Sequence, residues 1–243
     1  AALSDTCADL FVHARGLPPE QIQRQSLPQG QIPTGDAIRL AVLAKCVDLA
    51  AEQRRLRDAF AIKAREFGHV MKVGRTQLQD AVPITLGSEF ASFATTVNED
   101  IDRLEQLSAL LMEVNLGGTA VGTGINSPDG YAALAVENLA AVSGYPLVGA
   151  SDLIEASSDL GAFITFSGVL KRIAVKLSKI SNDLRLLSSG PRAGIGEIIL
   201  PPVQAGSSIM PGKVNPVIPE VVNQVAFEVI GNDITITMAA EAG

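Results

Sequence analysis

Tryptophan is absent from the 243 residues, and there are only two tyrosines, two histidines and two cysteines. Two cysteines, Cys7 and Cys46, are too few for a disulfide framework or a structural zinc site. That usage fits a reducing compartment such as the cytoplasm. The two histidines, His13 and His69, lie at unrelated places, so a Ser-His-Asp triad has no support. No His/Cys/Asp cluster shows metal-ligand spacing. Basic blocks are missing as well: 26 Asp+Glu against 19 Lys+Arg give a net charge of −7. This balance argues against nucleic acid or an anionic membrane surface as the main partner. No run approaches the roughly 20 uncharged apolar residues of a membrane span. The first residues, Ala1 to Cys7, lack the charged and apolar regions of a signal peptide.

What the chain has in abundance is aliphatic side chains at helical spacing. From Asp36 to about His69, Val42, Cys46, Leu49, Leu56, Phe60, Ala64 and Phe67 keep one stripe on one helix face. The Asp36 carboxylate suits the free N–H groups of a first turn. A second helix is predicted over about 84–114, with Asn98 to Arg103 on its solvated side. The longest is predicted from about Ser151 and Asp152 to Ser189, where Gly190 and Pro191 stop it. Within it Phe166, Leu170, Ile173, Leu177, Ile180, Leu184 and Leu187 alternate steps of four and three, the seam spacing of packed bundle helices. Lys171, Arg172, Lys176 and Lys179 between them read as a solvated face. A fourth helix is predicted from Asn215-Pro216 to about Ala240, with Asn215 as cap and Pro216 at the first helical position. The fold class is therefore all-α, a long up-down helix bundle over 34–243, preceded by an irregular segment, 1–33, without sustained periodicity.

Three polar segments of loop composition, 72–83, 115–128 and 190–214, separate these helices, the arrangement in which loops carry chemistry on a rigid scaffold. The run from Gly118 to Gly124 fits neither a P-loop nor GxGxxG, and it follows a helix rather than a strand. Residues 206–220 differ. Ser207 and Ser208 follow Gly206, and Lys213 stands two residues before the expected helix cap. An ammonium beside a helix N-terminus makes a carboxylate site, and positive potential there favours ionisation of a serine. A Gly/Pro-rich connection leading into a capped helix fits the same residues.

The stretch from Gly206 to Asn215 (GSSIMPGKVN) resembles the signature loop of the aspartase/fumarase superfamily, GSSxMPxKxN. Gly74 to Pro83 (GRTQLQDAVP) and Gly117 to Gly124 (GGTAVGTG) are similar to two further blocks of that superfamily, in its order and spacing. Residues 216–225 and 238–243 look more like aspartate ammonia-lyases than class II fumarases, and so does Gln77, where fumarases usually place His. The likeness runs from about Pro33 to Gly243. It implies that the chain corresponds to roughly the central half of the family's subunit, without its smaller C-terminal domain.

The resemblance implies reversible anti-elimination of ammonia from L-aspartate to give fumarate. Class II fumarase activity, or a non-catalytic homologue or inactive fragment, is the alternative. Carried over from the family, Ser207 is the general base and Ser208 binds the β-carboxylate where charge develops. Lys213 and Asn215 hold the α-carboxylate, Thr76 and Gln77 complete binding, and Glu220 makes a positioning hydrogen bond. The family resemblance implies no cofactor beyond magnesium activation of the kind known for some aspartases. It also implies a homotetramer whose active sites combine residues from three chains. One block departs from the pattern: where the family has QSSNDxxPT, Gln25 to Thr34 reads QSLPQGQIPT, with Leu27, Pro28 and Gln29 in place of the Ser-Asn pair. An upstream GGAGTS-like block is absent.

Overall fold

A computed structural model describes residues 33–242. The irregular segment expected over 1–33, the altered block from Gln25 to Ile32, Cys7 and His13 therefore fall almost wholly outside the described residues. Five α-helices dominate the rest. They are α1 (Thr34–Glu66), α2 (Leu86–Ser108), α3 (Tyr131–Ser143), α4 (Gly161–Leu187) and α5 (Val217–Ala242). The four long helices expected from periodicity are present, and α3 is an addition. The chain divides into two compact units. One contains 33–52, Leu104–Phe166 and 240–242, and the other Gln53–Arg103 and Ser167–Ala239.

The unit built from Gln53–Arg103 and Ser167–Ala239 has its core where three helix stripes meet. Phe60 of α1, Leu86, Phe90, Phe93, Val97 and Ile101 of α2, and Ile180 of α4 are buried together. Four of the eight phenylalanines make this core, with Phe60–Phe93 and Phe67–Phe90 ring centroids 5.6 and 5.5 Å apart, edge to face. Gly87 makes the α1–α2 corner feasible, because a Cβ there would lie 2.4 Å from the Ala64 carbonyl oxygen. On α4 the seven-residue series Phe166, Ile173, Ile180 and Leu187 is buried, and the intervening leucines are half-buried.

The same unit contains buried polar groups that the periodicity misread. Asp100, expected on the solvated side, is only 2% exposed. Arg172 and Lys176, expected on a solvated face, point ammonium and guanidinium groups at it, at 3.4 and 3.0 Å respectively for Lys176 and Arg172. Burial raises the Asp100 carboxyl above the usual range, more than Lys176 and Arg172 lower it. Asp233 of α5 accepts hydrogen bonds from Lys171 (2.5 Å) and Ser167 (2.8 Å), which hold its carboxyl below the usual range despite burial. Asn223 lies 3.1 Å from the Ser178 hydroxyl. Position falls along α5 as it rises along α4, so the two helices run antiparallel, as an up-down bundle requires.

Replacing both Arg172 and Lys176 by methionine leaves Asp100 buried and uncompensated, an expected loss of about 3–5 kcal/mol. In thermal unfolding that corresponds to a Tm roughly 10 °C lower, whereas Asp100→Leu should be far milder. An unchanged Tm in the double variant would show that Asp100 needs no partner.

In the other unit, Asp36 does not serve its own helix. Its buried carboxylate accepts the Asn115 backbone N–H at 3.0 Å, 79 positions away, and burial raises its carboxyl against that bond and Arg39. Two short parallel strands, Glu113–Val114 and Val148–Gly149, lie beside α3. The longest predicted helix begins ten residues late. Asp152 does cap a turn, accepting N–H groups from Ile154 (2.8 Å) and Glu155 (3.2 Å), but that turn is the single 3-10 turn Glu155–Ser157. Cys46 is buried, which pushes its thiol up to about 11 and leaves it inert.

Candidate functional site

The segment 72–83, expected as a loop, is a β-hairpin. Strand β1 (Met71–Thr76) pairs antiparallel with β2 (Gln79–Thr85). Gly74 sits at a bulge, where Ala81 and Val82 stand against this one residue. A Cβ on Gly74 would meet the Val82 carbonyl oxygen at 2.9 Å, so glycine is required there. Thr76 and Gln77 are both exposed at the tip. Gln77 and Leu78 form the two-residue turn at φ 54° and 63°, the left-handed pattern of a type I′ turn. Neither is Gly or Asn, so the tip is strained.

Charge fixes the hairpin near its base, at Lys72, and just below its tip, at Arg75. The Lys72 side chain is 6% exposed and is ion-paired with Glu89 of α2 and with Glu197, the latter at 2.7 Å. Arg75 Nη2 donates to Glu197 at 2.6 Å, and its Nε lies 3.8 Å from the exposed Asp80. Burial opposes ionisation of Glu197, but Arg75 and Lys72 together outweigh it and hold its carboxyl below the usual range. The Glu197 backbone N–H donates to the Leu187 carbonyl at 2.8 Å, which folds the segment after α4 back onto that helix.

Farther along the same segment, the signature loop closes on itself. The Ser207 backbone N–H donates to the Lys213 carbonyl at 3.0 Å, and the Lys213 N–H donates to the Met210 carbonyl at 3.1 Å. Gly206 permits that closure, since a Cβ there would lie 3.1 Å from the Lys213 carbonyl oxygen. The half-buried Ser207 hydroxyl oxygen accepts two backbone N–H groups, from Met210 at 3.1 Å and Ile209 at 3.3 Å. Two donors aimed at one hydroxyl oxygen favour its ionised form. Ser208, Lys213 and Asn215 are exposed around it. Asn215 is not the helix cap: Pro216 is, because its carbonyl accepts the Glu220 N–H at 3.2 Å. Glu220, half-buried, occupies the first turn of α5.

Ser207 and Lys213 are thus brought together through the backbone. No hydrogen bond among the described residues joins Thr76 or Gln77 to the loop from Ser207 to Asn215. The third block, Gly117 to Gly124, belongs to the other unit. Its strain is similar, with Thr119 and Val121, both β-branched, at φ 50° and 60°. Lys72, Arg75 and Glu197 went unread in the sequence, because the pairing of charges so far apart is a tertiary event.

The family described as lyase is matched over residues 29–231. The chain belongs to the aspartase/fumarase superfamily. Within it, an aspartate ammonia-lyase of Pseudomonas aeruginosa is 69% identical over 208 residues, covering 85% of this chain and 44% of that protein. One of Escherichia coli strain K12 is 57% identical, covering 99% of this chain and 51% of that protein. A crystal structure of a fumarate lyase:delta crystallin from Brucella melitensis superposes with a TM-score of 0.84 at 63% identity, over 86% of this chain and 45% of that one. A class II fumarase from Schistosoma mansoni gives 0.79 at 32% identity, over 86% and 47%. The chain therefore spans about half the length of the relatives it matches. The helical-bundle fold is that of the superfamily.

Proposed function

We propose that the protein acts as an aspartate ammonia-lyase, with Ser207 as general base. The observation that carries this reading is the pair of backbone N–H groups on the Ser207 oxygen, inside a loop closed by the Ser207 N–H on the Lys213 carbonyl. The naming of several relatives at 57–69% identity as aspartate ammonia-lyases supports the substrate.

In this reading Ser207 removes a proton from the carbon beside the β-carboxylate, leaving an aci-carboxylate dianion. Ser208 donates to that carboxylate, where charge accumulates. Lys213 and Asn215 hold the α-carboxylate and so fix the carbon skeleton against the base. Thr76 and Gln77 bind the carboxylate and amino ends, and Glu220 supports them with a positioning hydrogen bond. The C–N bond then breaks, ammonia leaves from the face opposite the lost proton, and fumarate remains. No group of three or more His, Cys, Asp or Glu among the described residues is arranged to hold a metal.

A homotetramer with composite sites belongs to the same proposal. Helix α5 exposes Ile218, Val221 and Val225 on one face and Phe227, Ile234 and Met238 on another, which suits contacts with further copies. Thr76 with Gln77 and the Ser207 loop then meet across chains, in a soluble, cytoplasmic protein. No helix among the described residues is long and apolar enough to cross a membrane.

Adding L-aspartate to the intact protein should produce the ultraviolet absorbance of fumarate. If malate is dehydrated faster than aspartate is deaminated, the reading gives way to a class II fumarase. If neither substrate turns over, a non-catalytic role replaces both.

A further inference from the structure

The strained hairpin tip raises the question of what holds it. Left-handed residues other than glycine cost of order 1–3 kcal/mol each, and persist only where their surroundings over-determine them. Gln77 and Leu78 are adjacent and both left-handed, and Leu78 is 69% exposed, so packing of the tip itself supplies little. The constraint has to come from the strands below the tip.

There, three carboxylates meet two cations. The Arg75–Asp80 contact is 3.8 Å long, with the Asp80 side chain 82% exposed, and such surface pairs contribute little. Glu89 touches Lys72 alone. Glu197 touches both cations, with its two oxygens divided between Lys72 (2.7 Å) and Arg75 (2.6 Å). Arg75 is the immediate neighbour of Thr76. Glu197 itself is tied by its own N–H to the end of α4, and its neighbour Ile198 packs against the phenylalanine core. The hairpin is thereby clamped to the rigid part of its unit through one side chain.

We propose that Glu197 is a positioning residue: by bridging Lys72 and Arg75 it holds the hairpin tip that presents Thr76 and Gln77. The inference rests on the aspartate reading above for what the tip binds. Glu197 does not touch substrate. It stands ten residues before Ser207 on the segment leading into the signature loop, so the same anchor fixes where that loop departs from α4.

Glu197→Gln keeps the size of the side chain and removes its charge, leaving the exposed Asp80 as the carboxylate within ion-pair distance of Arg75 among the described residues. In the intact protein, amide hydrogen exchange across 71–85 should become about tenfold faster or more, while exchange in 90–101 of α2 stays unchanged. KM for L-aspartate should rise about tenfold with kcat changed less than about threefold, the mark of lost binding geometry rather than lost chemistry. A uniform loss of stability would accelerate exchange in α2 as well and would leave KM alone. Asp80→Asn should change neither quantity. Arg75→Gln, which keeps Lys72 paired with both carboxylates, is the second variant if Glu197→Gln does not fold, and it should move the same two quantities in the same directions. Hairpin exchange and KM both within about twofold of the parent would overturn the proposal. If the parent protein has no turnover of L-aspartate, the functional reading fails and hairpin exchange alone decides: acceleration upholds the clamp, and no change overturns it.

Discussion

Replacing Ser207 by alanine should lower kcat for L-aspartate by about 10²–10⁴-fold, the range over which a positioned general base contributes. The effect should fall on kcat rather than on KM, because the hydroxyl is assigned to proton removal and not to holding either carboxylate. Stability should hardly change. The side chain accepts two N–H groups of its own loop, and losing such bonds beside solvent costs about 1 kcal/mol. Steady-state kinetics together with a thermal melt separate the two effects. Turnover retained within about tenfold would remove Ser207 from the role of base.

Gly122→Ala should be the most damaging single substitution in the unit that carries the Gly117 to Gly124 block. Gly122 has φ +80°, and an added Cβ would lie 2.1 Å from the Leu153 carbonyl oxygen. Left-handed strain of order 1–3 kcal/mol adds to a backbone clash of similar size, so a loss of about 3 kcal/mol or more is expected. In a protein of this length that is a Tm lower by roughly 6–12 °C. The neighbouring Gly118→Ala meets Asn115 Oδ1, a side-chain atom able to move, at 2.9 Å and should be milder. Equal melting temperatures for the two variants would mean that the 117–124 loop gives way at either place.

Much of this arrangement was legible in the sequence, and the failures have distinct physical causes. Helices α1 and α4 were visible because each carries a recurring apolar stripe that is buried, Cys46 and Phe60 on one, Phe166, Ile173, Ile180 and Leu187 on the other, while the second buried face of α4, with Ser167, Ser178 and Ser181, is polar and went unread. Helix α3 was invisible as a stripe, since YAALAVENLAAVS is apolar almost all round. The hairpin gave no alternation to read, because β2 is exposed from Gln79 to Pro83 and its turn is Gln-Leu rather than Asn-Gly. Asp36 and Asp152 carried true capping signals that were spent elsewhere, on Asn115 and on a single turn. Lys171, Arg172 and Lys176 of α4 looked solvated because their partners, Asp233 and Asp100, are distant in sequence, whereas Lys179 is indeed exposed and pairs with the nearby Asp183. For the candidate site, Ser207, Lys213 and Thr76 could be named from motif residues alone. Glu197 could not, since nothing local announces which carboxylate will neutralise Lys72.

The hairpin tip also bears on which side chains position 77 can display. Its left-handed turn is held by the clamp on Lys72 and Arg75, so position 77 carries little duty in specifying the local backbone. A glutamine codon becomes a histidine codon by a single-nucleotide change, and fumarases usually place histidine at the corresponding position. A side chain exchanged at position 77 is therefore displayed at the tip without a new turn having to form.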